Sequence, residues 1–381
     1  MALVAAVLIL SMGCAIAAYD RPMKEVQASE IVGKIKNNKS VEYDRIIVKG
    51  PLDLKNLITK SHIEITNSRF ESYIDLRSST LSNFVIFRGS TFGANVYFNS
   101  SNFNGAVADF RGSTFIRNAN FAHSTFEGYA AFQGSTFAGD ADFSESTFND
   151  YAVFSDSKFS RTADFILSKF IKHAYFVNST FNESVCLDDC QFEDDALFNG
   201  AKILGCLRLQ RTDYDKLYIR WNNIKELSYE DTAYLRLIEN FKKLGIYPDA
   251  DQCYVSYRNE NRQTLPLYYR PIDWLLWILY GYGTMPELPF IWSVLVILLS
   301  GGFFYFTADI ETPDKKTTLM EAMYLSAAAF TSGARTLGGF VSTPEDVLVK
   351  GRARYVLAAE KLLGLLLVGL FLTALARTVI R

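Results

Sequence analysis

Large apolar residues fall at 115, 121, 126, 132, 137, 143, 148, 154, 159, 165, 170, 176 and 181, alternately five and six positions apart. The series continues through Leu187, Phe192, Phe198, Ile203 and Leu209, with one extra residue between Phe103 and Phe110. Two positions before each large residue sits a small one, such as Ala119, Ser124, Ala130 and Ser135. A helix repeats its apolar positions at three and four, a strand at two. A short strand followed by a turn fits this spacing. The small residue at i−2 and the large one at i then both point inward on the strand period. Four such sides close a square coil of 22 residues, which stacks Phe115, Phe137, Phe159 and Phe181 in one column and Phe121, Phe143 and Phe165 in another. At roughly 4.8 Å per coil, residues 63–209 make about six to seven coils and a rod about 30 Å long.

The units themselves are regular. Ser-Thr-Phe starts at Ser90, Ser113, Ser124, Ser135, Ser146 and Ser179, and Ser-Lys-Phe at Ser157 and Ser168. Between them, Ala-x-Phe ends at Phe110, Phe121, Phe132, Phe143, Phe154, Phe165 and Phe176. This stretch resembles the pentapeptide-repeat family in its phenylalanine-rich form. The resemblance implies a right-handed quadrilateral β-helix over 63–210 in which every repeat phenylalanine is core. Cys190 fills an inward small slot two before Phe192, whereas Cys186, just before the inward Leu187, is expected to face out. A Cys186–Cys206 disulfide is left open by the sequence.

Residues 20–62 read as a cap over the first coil, with a short helix over 28–35 capped by Ser29 and a β-type run from Val41 to Val48. After the rod the period changes. Tyr234, Leu235, Ile238, Phe241 and Leu244 fall at helical spacing and Gly245 closes that helix. A second helix is expected over 249–263, so 211–267 reads as a helical linker.

Three apolar stretches remain. Residues 1–19 carry no charge, and Ala15-Ile16-Ala17 offers a small-x-small cleavage site, which favours a secretory signal. Arg21 and Lys24 follow the run, which fits an uncleaved anchor instead, and Cys14 after Gly13 leaves a lipoprotein site as a third reading. Residues 288–308 give 21 uncharged positions, enough to cross the hydrocarbon. Residues 362–376 give 15, extended back to Tyr355 if Glu360 and Lys361 sit near the interface or face protein. Crossings are thus expected over 288–308 and 355–377. Pro271 to Tyr280 is apolar but short and carries two Trp, which predicts an interfacial helix, and Gly281-Tyr282-Gly283 reads as a membrane-entry turn.

Between the crossings, 319–330 reads as a half-length helix followed by a Thr/Gly-rich turn. Small residues there let backbone carbonyls line a narrow path. Glu321-Ala322-Met323-Tyr324 through Phe330-Thr331, and Glu360-Lys361-Leu362-Leu363-Gly364 with Gly369, resemble the potassium-channel-like pore domain of the two-transmembrane superfamily, over residues 268–381. The resemblance implies a homo-tetramer in a lipid bilayer, with potassium or another ion as passenger. Its filter would come from Thr331, Ser332, Gly333, Ala334, Arg335, Thr336, Leu337, Gly338 and Gly339. Glu321, Tyr324 and Phe330 would support the pore helix, and Glu360, Gly364 and Gly369 would shape the inner helix. The chain departs from the Thr-Val-Gly-Tyr-Gly filter in both registers, Thr331 to Arg335 and Thr336 to Phe340. A fourfold ring of Arg335 opposes cations. Without conduction, the same architecture is a membrane-anchored β-helical binding or envelope-structural module.

Composition narrows the function. The chain has 381 residues, 39 basic and 41 acidic, a net charge of −2, which argues against a dedicated nucleic-acid binder. From Lys60 to Gln210 there are 17 acidic and 12 basic residues, too few acids for a DNA-like surface. His62, His123 and His173 lie far apart, the five cysteines lack paired CxxC spacing, and no nucleophile–base pair stands out. No metal, cofactor or enzymatic activity is expected. The export-like start and the pore plan place the rod on opposite sides of the cell membrane. The 309–354 loop, with six acids and six bases, does not choose between them.

Overall fold

The computed structural model describes residues 22–105, 107–307, 310–311, 318–332, 348–349 and 351–379. The chain divides into two compact units that part between Ala250 and Asp251.

The first unit is a parallel β-solenoid. Two-residue strands pair with their equivalents one turn on: Thr114-Phe115 with Thr136-Phe137, then Lys158-Phe159, then Thr180-Phe181. One ladder has nine strands, from Val41–Asp44 to Leu217–Tyr218, one per turn, so the solenoid has about nine turns. The ladders also take in residues 41–59 and 217–227, beyond the phenylalanine series. There the inward positions are aliphatic (Val41, Val48, Leu52, Leu54, Leu217 and Ile219, all buried), so the turn persists without its phenylalanine signature. The extra residue before Phe110 lengthens one turn: Thr91 pairs 23 positions on with Thr114, whereas Thr114 pairs 22 on with Thr136.

Phenylalanine columns fill the interior. Phe143 stacks on Phe121 at 4.9 Å and on Phe165 at 5.1 Å, close to the strand spacing that sets the column pitch. Neighbouring columns meet edge to face, as Phe132 and Phe143 do at 5.3 Å and 83°, the offset that aromatic quadrupoles favour.

The small slots do more than leave room. The hydroxyl of Ser146 donates to the carbonyl of Phe121 at 2.7 Å, and Ser168 to Phe143, Ser179 to Phe154 and Ser157 to Phe132 do likewise. A buried carbonyl facing the bore thereby gains a partner that alanine does not supply. Cys190 continues this column, its thiol pointing at the Phe165 carbonyl, and Thr212 follows it. The residue before each buried repeat serine from Ser68 to Ser179 lies in the left-handed region, as at Asn67, Gly134, Asp156 and Asn178. Gly, Asn and Asp occupy that conformation at least cost, which explains their recurrence ahead of the Ser-Thr-Phe and Ser-Lys-Phe units.

Two expectations change here. Cys186 takes the outward position of its strand, in register with Asp164 on one side and Arg208 on the other, but is buried there, because the Arg208–Asp188 ion pair closes over that face. Burial pushes its thiol up to about 11. Cys186 and Cys206 are both free thiols. Helix α1 (Ala28–Lys36) starts after Gln27, not Ser29, with no side-chain cap. Ala28, Ile31 and Ile35 are its buried face, and its last-turn carbonyl at Ile35 accepts from Thr59 and Ser61 of the first turns.

Helix α2 (Asp231–Lys243) closes the other end. Glu230 caps it through the Ala233 amide at 2.6 Å, and Gly245 ends it with φ 72°. It lays Leu237, Ile238 and Phe241 in the core, and the buried amide of Asn240 pairs with both the N–H and the C=O of Leu217. A segment legible from sequence as linker thus also plugs an open coil whose strand edges would otherwise be bare.

The second unit is helical. It holds the greater part of α3 (Tyr247–Thr264), then α4 (Arg270–Tyr280), α5 (Glu287–Thr307), α6 (Leu319–Ser332) and α7 (Ala353–Val379). A short antiparallel pairing joins Ile310–Glu311 to Leu348–Val349 between α5 and α7.

Candidate functional site

Helices α5 and α7, with 21 and 27 residues, are long and apolar enough to cross a membrane. At 1.5 Å per residue they reach about 31 and 40 Å, against a hydrocarbon core of about 30 Å. Their outer faces are apolar and bare: Phe290, Leu298, Leu299 and Phe306 on α5, and Leu362, Leu366 and Leu372 on α7, are exposed. Helix α6, at 14 residues, reaches only about 21 Å, too short to cross.

Helix α6 is seated against both long helices by close backbone approach. A Cβ on Gly301 of α5 would lie 2.5 Å from the sulfur of Met323, and one on Gly364 of α7 would lie 2.1 Å from the carbonyl oxygen of Phe330. Phe304, Ala322, Leu325 and Ala353 form the shared apolar core, with Phe303, Val356 and Leu357 packed against it, and Phe330 is buried against Gly364. Small residues at helix crossings permit this where lipid offers no hydrophobic drive for association. The start of α6 is a capping box: the Thr318 amide donates to Glu321 at 2.8 Å, and the Glu321 amide donates to the Thr318 hydroxyl. Glu321 therefore holds the helix start. Tyr324 points away from the core and is 55% exposed. Thr331 bonds back to the Ala327 carbonyl and Ser332 ends the helix. Gly333, Ala334, Arg335, Thr336, Leu337, Gly338 and Gly339 lie outside the described residues, as does the signal-like segment 1–19. Gly369 has open space around it.

Glu360 lies inside the three-helix packing, 1% exposed, and meets the hydroxyl of Ser326 on α6. That hydroxyl stands 2.9 Å from the Ile297 carbonyl of α5. Of the two sites read from sequence for Glu360, interface or protein interior, the interior is the one it occupies.

A second polar cluster escaped the sequence reading. Asp273, on the otherwise apolar α4, is buried and meets three donors: Arg258 and Arg262 of α3, the latter at 2.7 Å, and the Tyr282 hydroxyl at 2.5 Å. The Arg258 guanidinium also lies over the Tyr282 ring at 4.7 Å, and that of Arg262 over Trp274 at 4.6 Å. Gly281, Tyr282 and Gly283 all have positive φ (56°, 56° and 82°), which turns the Tyr282 side chain inward onto Asp273 and leaves its carbonyl to Arg377 at 3.0 Å. The turn is therefore an anchoring device for α4 and α7. The signal was a lone acid in an apolar helix, preceded by two arginines at i and i+4 on one helix face.

Burial alone pushes the Asp273 carboxyl up, and the hydrogen bonds from Arg262, Tyr282 and Arg258 outweigh it, holding the group below its ordinary value of 3.8. A depressed carboxyl lends stability that is complete above the unfolded value and lost as pH falls through the folded one. Thermal melts of the full chain in detergent should therefore weaken below about pH 4. Asp273→Asn should lower stability by about 1.5–3 kcal/mol at neutral pH, because two guanidinium groups lose their anion. Its melts should also lose part of the acid dependence; equal acid sensitivity in both proteins would count against this role.

On the solenoid, stacking of successive turns brings His173 beside Asp194 and Asp195, with possible ligand atoms within 4.8 Å of one another. His173 Nδ1, itself shielded from solvent, stands 3.1 Å from the exposed Asp194.

Comparison with known proteins agrees with the solenoid. The family model described as pentapeptide repeats (9 copies) matches residues 87–134, 98–147 and 121–168. The chain matches no curated protein and no solved structure. The chain thus holds a β-solenoid whose residues 87–168 match pentapeptide repeats, followed by a helical region with two apolar helices of membrane-crossing length.

Proposed function

We propose that this is an integral protein of the cell membrane whose residues 268–381 form a potassium-channel-like pore domain with a degenerate filter, assembled as a homo-tetramer, and whose solenoid is of the quadrilateral type. The observation that carries the reading is α6: a half-length helix packed against two crossing-length helices, whose last turn opens the Thr/Gly-rich segment 331–339. This is the plan a pore needs, a short helix supporting a narrow backbone-lined path. Helix α4, with Trp274, Leu275 and Ile278 exposed, lies in the bilayer interface. The bare apolar faces of α5 and α7 meet lipid and sister subunits. Neither unit acts as an enzyme; the solenoid is a structural or binding scaffold.

In this reading Arg335 sets the ion preference, because four guanidinium groups around one axis raise a barrier to cations and stay charged at every usable pH. Purified full-length protein in liposomes should pass cations poorly, and Arg335→Ser should raise cation flux at least several-fold. Absence of flux of any ion before and after that substitution, together with the absence of tetramers on cross-linking, would replace the pore reading with a non-conducting anchor for the solenoid. A wild type already selective for potassium would keep the pore and remove Arg335 from the ion path.

A further inference from the structure

We infer that Glu360 is a proton-binding site of the helical unit, carrying its proton at neutral pH and donating it to Ser326. The argument is hydrogen-bond arithmetic. A serine hydroxyl has one hydrogen. Ser326 Oγ faces two acceptor oxygens, the Ile297 carbonyl and Oε1 of Glu360. If Glu360 were ionised, one of these contacts would be oxygen against oxygen with no hydrogen between. With a proton on Glu360 both contacts are satisfied in series: the acid donates to Ser326, and Ser326 donates to Ile297.

The surroundings agree. Both side chains are buried, Ser326 completely, and among the described residues the second carboxyl oxygen of Glu360 makes no close hydrogen bond, the Ser300 hydroxyl of α5 being the further donor near the acid. A neutral acid tolerates that far better than a carboxylate, whose burial without a counter-charge is prohibitive in an apolar medium. The charged and titratable groups of the packed helices are engaged elsewhere or stand outside. On α4 and its following turn, Asp273 and Tyr282 are held by Arg258 and Arg262. Glu287 opens α5, whose Tyr305 is exposed. Glu321 caps α6, whose Tyr324 is exposed. On α7 itself Arg354 and Tyr355 are exposed, Lys361 is half-buried, and Arg377 bonds to the Tyr282 carbonyl. Among the described residues no ion pair reaches Glu360. Gly364 lies one turn further along the same face of α7 and touches Phe330 of α6, so the proton sits in the seam where α6 and α7 meet. Removing it places a bare charge in that seam and destabilises the unit.

The test is infrared spectroscopy of the full chain in lipid, with deuterium exchange to mark acid groups. At neutral pH the difference spectrum of wild type against Glu360→Gln should show a carboxylic-acid C=O band, which disappears as pH is raised. The melting temperature of wild type should fall over the same range while that of Glu360→Gln, whose amide can donate to Ser326 as the acid does, holds steady. A difference spectrum showing only a carboxylate band at neutral pH overturns the inference. Should Glu360→Gln fail to fold, Ser326→Ala decides: the acid band of Glu360 should move to higher frequency on losing its acceptor, and an absent or unmoved band overturns the proposal. None of these outcomes depends on whether the protein conducts ions.

Discussion

Phe143→Ala should destabilise the solenoid by roughly 3–5 kcal/mol, the range for removing a large aromatic side chain from a packed interior. The ring is fully buried, stacked between Phe121 and Phe165 and edge-on to Phe132 and Phe154. Its neighbours cannot close over the gap, because each is fixed to its own column by the strand register. The serine hydroxyls bonded to the carbonyls of Phe121 and Phe143 hold the backbone against collapse as well. Since each turn touches chiefly its neighbours, the loss should appear locally. Hydrogen exchange in residues 119–165 should accelerate far more than in turns near either end, and the urea midpoint should drop. Phe84→Ala is the control: Phe84 is 40% exposed and outside the columns, so its replacement should cost little. Equal effects of the two substitutions would remove the inward columns from the account.

The solenoid was legible because its period is unlike any helix or plain strand, and because Phe is too large for any position except the bore. The serine was legible only as a small residue. Its second role depends on a carbonyl 25 positions earlier, such as Phe121 for Ser146, which no local pattern reveals. The outer turns were missed at 41–59 and 217–227 because aliphatic residues serve inward as well as Phe does when the neighbouring column ends. Alternation gave Cys186 its outward position but not its burial: that position is roofed by the Arg208–Asp188 pair, a contact set by the next turn. In the helical unit, lengths and apolar runs gave α4 to α7 closely, since those depend on local composition. The Asp273 cluster joins α3, α4 and the Gly281–Gly283 turn, and the Glu360–Ser326 contact joins α6 and α7. Sequence showed only isolated polar letters in apolar helices, and their partners follow from tertiary packing.

Replacing Gly364 should be the most damaging single-methyl change in the helical unit, and replacing Gly369, five residues on in the same helix, should be harmless. At Gly364 the added Cβ would stand 2.1 Å from the backbone oxygen of Phe330, an atom that has no rotamer with which to move aside. Relief requires α6 and α7 to separate, which also pulls Ser326 from Glu360. Overpacking of this kind costs typically about 1–3 kcal/mol and more where backbone is the obstacle, so Gly364→Val should exceed Gly364→Ala. At Gly369 a Cβ meets nothing within 4 Å. Gly369→Ala should gain from helix propensity, by up to about 1 kcal/mol. Melting of the full chain in detergent measures both, with the solenoid transition as an internal reference because the substitutions lie in the other unit. Opposite shifts for Ala at the two positions are the expected result. Similar shifts would mean that α7 does not rest on the end of α6, and the pore reading would lose its support, because a half-length helix held by nothing cannot position a filter.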